Sequence, residues 1–325
     1  MTRLRTAVFA IVAGLAALSA RAPSIAQNYP SQPIRAVVGY SAGGGADGMM
    51  RAIANELAEA LGQPIVIDNR PGGGTVIATR LVAEAKPDGY TIYVADPAIY
   101  FNPFLLAKLP YDVMRDFAPV VPVSSSSTSM LVVHPSFPAK TLQQLVAMAR
   151  AQPGQLNYAS GGNGTLPHVL TEMMLSVAKI KLTHVSYKST AQAIYAATSG
   201  EVPIAAGGLF AVKGLAEVGK LRPLAIASVK RSVRMPQVPT FAEGGLAIDG
   251  ASYRGLVAPA HTPREVILKL NTATNRVLQM PSVRKRFTDI GGDVLGGSPE
   301  DYASILRAEL DKWGKVIRDA GIRLN

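Results

Sequence analysis

Cysteine is absent from this 325-residue chain, which excludes disulfides, thiolate nucleophiles and cysteine metal sites together. Histidine occurs four times, at His134, His168, His184 and His261, and no two stand at i+3 or i+4, so neither a metal nor a cofactor held by histidine is expected. No close carboxylate pair suggests acid–base chemistry. Tryptophan occurs once, as Trp313 in an apolar helical stripe, where core packing accounts for it. Past residue 26 no apolar run reaches the about 20 residues that cross a bilayer. Clustered basic charge is scarce as well. Only Lys230-Arg231 with Arg234 and Arg284-Lys285-Arg286 are tight groups, and both fit solvated faces, so no nucleic-acid partner is expected.

What is present begins with an export pattern. Arg3 and Arg5 precede an apolar run over 7–18, and Ser24-Ile25-Ala26 offers a cleavage site before Gln27. The formal charge of +11, less Arg3, Arg5 and Arg21, leaves +8 on a mature chain, a balance that favours anionic partners. About 299 residues remain, enough for two lobes. Short apolar strands alternate with helices, which predicts an α/β fold with mostly parallel sheets. Strands are expected at 34–38, 65–67, 90–95, 156–159, 182–187, 202–206, 224–227 and 253–258, and helices at 47–61 and 76–85. Asp96 with Pro97, and Thr262-Pro263-x-Glu265, read as helix starts, as do Thr141-x-x-Gln144 and Ser298-Pro299-x-Asp301. The polar run 124–129 reads as a flexible crossing between lobes. Lobe 1 is expected to comprise 27–128 and 255–325, and lobe 2 the inserted 129–254.

The segment 36–47 is an apolar strand that breaks into glycines and opens a helix. Gly39-x-Ser41-x-Gly43 matches a hydrolase nucleophile elbow, which Asp249 and His261 could complete in chain order. Only about 14 mature residues precede Ser41, so nothing upstream supplies an oxyanion loop. Gly43-x-Gly45-x-x-Gly48 matches a dinucleotide fingerprint with Asp68 ending the next strand, but Tyr40, Ser41 and Ala42 separate the strand from its first glycine. A simple anion site at a helix N-terminus accounts for more of the chain, because the device recurs at 72–75, 160–165, 188–190 and 207–208. In parallel sheets such turns share one edge, where α/β proteins bind ligands. His168 fits either a cleft position or a structural helix cap.

Several motifs then converge. Tyr29-Pro30-Ser31-x-Pro33-Ile34-Arg35, Gly43-Gly44-Gly45-x-Asp47, Leu61-Gly62-Gln63-Pro64, Asn69-Arg70-Pro71-Gly72 and Pro87-Asp88-Gly89-Tyr90-Thr91 resemble the substrate-binding proteins of tripartite tricarboxylate transporters, the Bug family. Leu109-Pro110-Tyr111-Asp112, Asp116-Phe117-Ala118-Pro119, Leu156-Asn157-Tyr158-Ala159-Ser160, Gly162-Asn163-Gly164-Thr165-x-x-His168, His184-Val185-x-Tyr187-Lys188 and Ala258-Pro259-Ala260-x-Thr262-Pro263 extend the resemblance over the mature chain. It implies a periplasmic, monomeric binding protein of type II, two-lobed and hinged, that closes on a small organic anion and passes it to membrane transporter subunits. A di- or tricarboxylate or an aromatic acid is the implied ligand class. The family's ligand carboxylate, helped by ordered waters, lies between two turns that correspond here to Tyr40, Ser41, Ala42, Gly43, Gly44 and Asp47, and to Ser160, Gly161, Asn163, Gly164, Thr165 and His168. Tyr187, Lys188, Ser189, Asp96, Pro97, Gly207 and Gly208 match regions that tune specificity. Many relatives carry an acid where this chain has Pro203 and Gly207, which argues against an amino-acid ligand. Tyr40, Tyr187 and Phe210 could stack on an aromatic ring. A sensor without a transporter, and an exported esterase using Ser41, are the alternatives.

Overall fold

The computed structural model describes residues 29–126, 129–248, 250–290 and 292–319, the side chains of Ser126, Phe210 and Ile290 excepted. The expected leader at 1–26 lies outside the described residues. In chain order the elements are β1 (Ile34–Val38), α1 (Gly45–Leu61), β2 (Ile65–Asn69), a short 3-10 turn (Gly73–Thr75), α2 (Val76–Ala83), β3 (Thr91–Ala95), α3 (Ala98–Leu105), β4 (Phe117–Ser126) and β5 (Ser129–Val133). There follow α4 (Leu142–Ala151), β6 (Asn157–Ser160), α5 (Leu166–Ala178), β7 (Thr183–Ser186), α6 (Thr190–Ser199), β8 (Ile204–Gly208), α7 (Leu209–Glu217) and β9 (Arg222–Ile226). The chain closes with β10 (Ser252–Pro259), α8 (Arg264–Leu278), α9 (Pro281–Ile290), β11 (Asp293–Val294) and α10 (Pro299–Asp319).

Two sheets result. One has the order β11-β4-β10-β3-β1-β2, the other β7-β6-β8-β5-β9. Both are mixed rather than simply parallel. β1, β2 and β3 are parallel neighbours, as are β6, β7 and β8, but β10 runs against β3 and β4, and β5 runs against β8 and β9. The cause is the crossing. A strand that arrives from the other sheet starts at the shared edge and must run away from it, and β5 and β10 are those two strands.

Strand alternation divides the core. Ala36, Val38, Ile92, Val94 and Leu256 face one way, onto the Met49, Ile53, Leu57 and Leu61 stripe of α1 and onto Leu270 and Phe287. Val37, Tyr93, Ala95 and Val257 face the other way, toward Phe101 and Trp313. Trp313 is fully buried, edge-on to Phe101, and donates from Nε1 to Glu309. In the second sheet Leu131, Val133, Tyr158 and Ile204 join that same cluster, while Met130, Val132, Ala159 and Ala205 pack under α6 and α7. Each large side chain so buried contributes about 1.5–3 kcal/mol.

Some local expectations need correction. The described part of the serine run is strand rather than linker. Ser124 and Ser125 belong to β4, Ser129 starts β5, and Ser124 and Ser129 are buried, because ladder pairing satisfies their backbone. Residues 127 and 128 lie outside the described residues. Thr262 caps no helix. Its hydroxyl donates to the Pro259 carbonyl, and Pro263 flanks α8 instead. Thr141 and Ser298 do cap their helices, accepting from Gln144 N and Asp301 N. Gly207 and Gly208 end β8 rather than forming a loop, and α7 directly after them carried no sequence signal.

Gly255 sits in the middle of β10 where no side chain fits. A Cβ there would lie 2.4 Å from the Val121 carbonyl and 2.5 Å from the Tyr302 ring. Gly255→Ala is therefore expected to cost about 1–3 kcal/mol. A fall in the urea midpoint at constant m-value checks this.

Candidate ligand-binding cleft

The turns that follow β1, β3, β6 and β8 open into a cleft between the sheets. Its inner chamber is lined by Tyr40, Gly43, Gly44, Gly45, Ala46, Gly48 and Met49 from the first turn and α1, and by Asp96 after β3. Across from them stand Thr165, Leu166 and Pro167 at the start of α5, Thr190 on α6, and Gly208, Leu209 and Ala211 at the start of α7. Ser124, Ser129, Arg254 and Gly292 close it at the crossing. An outer chamber shares Tyr40 and Thr165 with the inner one. It adds Gly39, the turn 71–75, Asn102, Leu106, Gly161, Gly162, Asn163, Ser186, Tyr187 and Lys188. The lobes touch here, for a Cβ on Gly74 would lie 2.4 Å from the Asn163 carbonyl oxygen.

The first turn is held from behind. Gly43 takes the left-handed φ of 88° and donates its N–H to Asp47 Oδ2 at 2.9 Å. Asp47 is buried and also receives Arg51 Nε and Asn69 Nδ2, while Asn69 Nδ2 reaches the Tyr40 carbonyl. Burial pushes the Asp47 carboxyl up, but its partners Arg51, Gly43 N–H and Asn69 outweigh this and hold it below its ordinary value. Asp47 therefore braces the turn and does not line the chamber.

Helix caps differ by position. No side chain caps α1 at Gly44, α5 at Thr165 or α7 at Gly208. All three N-termini border the inner chamber. Each leaves unpaired N–H groups and about half a positive charge. α6, by contrast, is capped by Ser189, which accepts from Gln192 N.

Asp96 and Arg254 are the charged residues of the inner chamber. Ala95 of β3 pairs with Gly255 of β10, so one step beyond, at the sheet's edge, Asp96 stands opposite Arg254. Asp96 is 5 % exposed. Its Oδ2 accepts from the Tyr40 hydroxyl at 2.5 Å, and its Oδ1 has no partner. Burial pushes this carboxyl up to about 6, against the Tyr40 hydrogen bond and the Arg254 charge. Asp96 was expected to start a helix with Pro97 at its first position; Pro97 has helical dihedrals, the Asp96 carbonyl accepts from Ile99 N, and the Ala98 N–H favours the ionised Asp96 carboxyl, while Pro97 does not line the chamber.

The second turn rests on an aromatic stack. Ser160 Oγ lies 2.7 Å from His184 Nε2. His184 stacks on Tyr158 and meets His168 at 4.2 Å between centroids. His168 Nδ1 accepts from Gly164 N, so its proton sits on Nε2. Tyr158 donates to Glu172 Oε1 at 2.5 Å. Burial pushes His168 down to about 3, with His184 adding to the effect, and burial alone pushes His184 down to about 4. Both are neutral at physiological pH, and burial also raises Glu172, so the 4.0 Å His168–Glu172 approach is not an ion pair.

Of the expected site residues, Tyr40, Gly43, Gly44, Asp96, Thr165 and Gly208 line the inner chamber, and Gly161, Asn163, Tyr187 and Lys188 the outer one. Ser41, Ala42, Ser160, Gly164, His168, Ser189 and Gly207 line neither. Ser160 and His168 are buried behind their turn, and a Cβ on Gly207 would meet Ile194 and Thr190. Phe210 has no described side chain. Ser41 cannot meet His261, because His261 follows the far end of β10, at the opposite edge of the sheet. Asp249 lies outside the described residues. Sequence reading quoted Gly45 and Thr190 only as members of glycine or hydroxyl turns, and it passed over Arg254, Leu166 and Leu209 as site residues. A lone arginine within an otherwise uncharged strand, Ser252–Pro259, is the signal that could have exposed the first.

A family model described as the tripartite tricarboxylate transporter family receptor matches residues 49–322. Among curated relatives, a UPF0065 protein of Pseudomonas sp. strain P51 is 32% identical over 97% of this chain and 95% of its own length. BugT of Bordetella pertussis is 32% identical over 100% of this chain and 99% of its own. Among solved structures, an R. palustris protein with adipate is 34% identical at TM-score 0.86, covering 91% of this chain and 100% of that one. MatC from Rhodopseudomonas palustris with bound malate is 31% identical at TM-score 0.85, covering 89% and 100%.

The neutral histidines behind the second turn make stability depend on pH. Unfolded histidine takes up a proton near pH 6.5, while the folded pair resists until about 4 and 3. Their contribution is complete above pH 6.5 and is lost as pH falls from there toward 4. His184→Gln is expected to remove about one proton from this linkage, flattening the slope by up to about 1.4 kcal/mol per pH unit. Urea unfolding of both proteins between pH 7.5 and 4 measures it, and parallel profiles would refute it.

Proposed function

We propose, from the premise that this chain belongs to the tripartite tricarboxylate transporter receptor family, that it is an exported binding protein for a small organic carboxylate. It works in the periplasm and delivers its ligand to membrane transporter subunits. No helix among the described residues is long and apolar enough to cross a membrane, in keeping with this role. Lobe 1 is formed by 27–128 with the chain from 255 onward and lobe 2 by 129–254, and the protein acts as a monomer without cofactor or catalytic step.

One observation carries the assignment. Three helix N-termini without side-chain caps, those of α1, α5 and α7, open into a single chamber between the sheets. They belong to both lobes, so an anion between them is bound only when the lobes meet. Each charge-assisted hydrogen bond from these N–H groups contributes about 1.5–3 kcal/mol. Adipate and malate in related structures support the ligand class.

A thermal-shift screen of the purified protein against mono-, di- and tricarboxylates, aromatic acids, acidic amino acids and a chromogenic ester tests this. A ligand at 100 times its Kd adds about 2.7 kcal/mol of stability. Stabilisation by a carboxylate without ester turnover is expected, and turnover or no shift with any carboxylate would overturn the assignment.

Gly44→Asp sharpens the test. Gly44 has ordinary extended dihedrals, and a Cβ there comes no closer than 3.8 Å to its nearest neighbour, Ser41 O. The new carboxylate would cap α1 and occupy the anion site itself. An unchanged or raised melting temperature with loss of the ligand shift is expected.

Gly74→Ala reports on closure. Its Cβ would collide with the Asn163 carbonyl of the facing turn, at a φ of 60° that already favours glycine. Carboxylate affinity should fall at least about tenfold, the effect of about 1.4 kcal/mol of lost lobe contact. Calorimetric titration decides it.

A further inference from the structure

Among the described residues, Arg254 is the cationic and Asp96 the anionic side chain that lines the inner chamber. The Arg254 guanidinium has no hydrogen bond or ion pair among them, and its Nε is buried without a partner. A Cβ on Gly45 would lie 3.5 Å from Arg254 Nη2, so the guanidinium stands beside the open N-terminus of α1. Two bulges in the β10–β4 ladder, one between Arg254 and Gly255, turn the strand at this point. Asp96 does not neutralise the arginine by contact. Its Oδ2 accepts from the Tyr40 hydroxyl, its buried Oδ1 makes no full hydrogen bond, and the Ala98 N–H nearby favours its ionised form. Native proteins seldom leave such groups without partners, because their desolvation is uncompensated.

We infer that Arg254 anchors a second anionic group of the ligand, which makes the inner chamber select dianions over monoanions, and that ionised Asp96 weakens this anchor. The inference rests on the carboxylate-binding role proposed above. Charge counting supports it. Three helix N-termini present together about +1.5. Arg254 adds a full positive charge. While Asp96 is neutral, a monocarboxylate therefore leaves the chamber under-compensated and a dicarboxylate comes close to balance; ionised Asp96 takes back one unit of that difference.

Asp96 sets the pH at which that balance is reached. Tyr40 after β1, Arg254 on β10 and the Ala98 N–H act on its carboxyl, and the titratable groups that feel its charge are Tyr40, Tyr93 on β3, Tyr100 on α3, Tyr111 and Tyr302 on α10. Burial holds all five tyrosines above their ordinary range, so Asp96 alone of this set changes charge near neutrality. It is neutral below about 6 and ionised above. Affinity for a dianion should therefore rise as pH falls through that value.

The test is calorimetric titration of the wild type, Arg254→Gln, Arg254→Lys and Asp96→Asn with succinate, malate and adipate and with the monomethyl ester of each. The wild type is expected to prefer at least one diacid over its monoester. Arg254→Gln should erase that preference, a loss of about ten- to hundredfold for the diacid, the range of a charge-assisted hydrogen bond. Arg254→Lys, which keeps the charge, should retain part of it and guards against a folding defect in the glutamine variant. Asp96→Asn should bind the diacid more tightly than wild type at pH 7.5 and with a shallower pH dependence; the ligand's own titration cancels between the two proteins. A diacid preference that survives in Arg254→Gln overturns the inference while the binding role stands. Carboxylate binding by the wild type with no preference for any diacid overturns it as well. Failure of the wild type to bind any of the six compounds, with no carboxylate shift in the thermal screen, overturns both.

Discussion

The cleft depends on one strand lying between two others. β10 pairs with β3 on one side and β4 on the other, antiparallel to both. Its register fixes which residues meet at the sheet's edge. Ala95 against Gly255 sets Asp96 opposite Arg254, and Ser252 against Ser126 sets the return of the chain beside its departure. Gly255 makes the arrangement possible, since β4 and α10 approach too closely for any side chain. A one-residue slip would turn Arg254 to the other face, because side chains alternate along a strand. The strand that joins the lobes is thus also the strand that charges the space between them.

That topology explains why the helix N-termini converge. A strand that ends at the cleft is followed by a helix that begins there, so β1, β6 and β8 deliver α1, α5 and α7 to one place. Cap chemistry follows the same geography. α4 and α10 are sealed by Thr141 and Ser298. At the chamber, glycine stands at the cap of α1 and of α7, and the Thr165 hydroxyl donates to the Gly162 carbonyl instead of accepting from α5. Self-capping would spend the N–H groups on the protein itself. α6 is the exception, capped by Ser189 although Thr190 lines the chamber.

Much of this was legible in the residues. The alternation of apolar runs placed β1 at 34–38 with the observed bounds and the α1 stripe on the core. Recurrent glycine turns after strands pointed to one ligand-binding edge. Three things stayed hidden, each because it depends on register or on distance in space. Arg254 reads as one residue of a return strand until β10 is paired. The serine run looks like a linker until the ladder claims it. His168 and His184 lie 16 positions apart in sequence, and nothing local shows that they stack. Asp47 shows the converse. Its place in a glycine turn suggested ligand contact, while its hydrogen bonds face the turn's own backbone and Asn69.

The two turns are held by different means, and the difference bears on how the cleft discriminates. Asp47 with Arg51 holds the first turn, away from the chamber, and an aromatic stack of two neutral histidines, Tyr158 and Ser160 holds the second. Neither support adds net charge to the space they frame. In a chamber of low dielectric an extra full charge would act strongly on any anion, whatever its shape. With the supports neutral or self-compensated, the field there is set by the helix ends, Arg254 and Asp96. In the proposed binding role, Arg254 and the three open N-termini, offset by ionised Asp96, leave a net positive space between the lobes for an anion to occupy. Under that reading, contact between the lobes and capture of an anion favour one another, because the donors that an anion needs come from both sides.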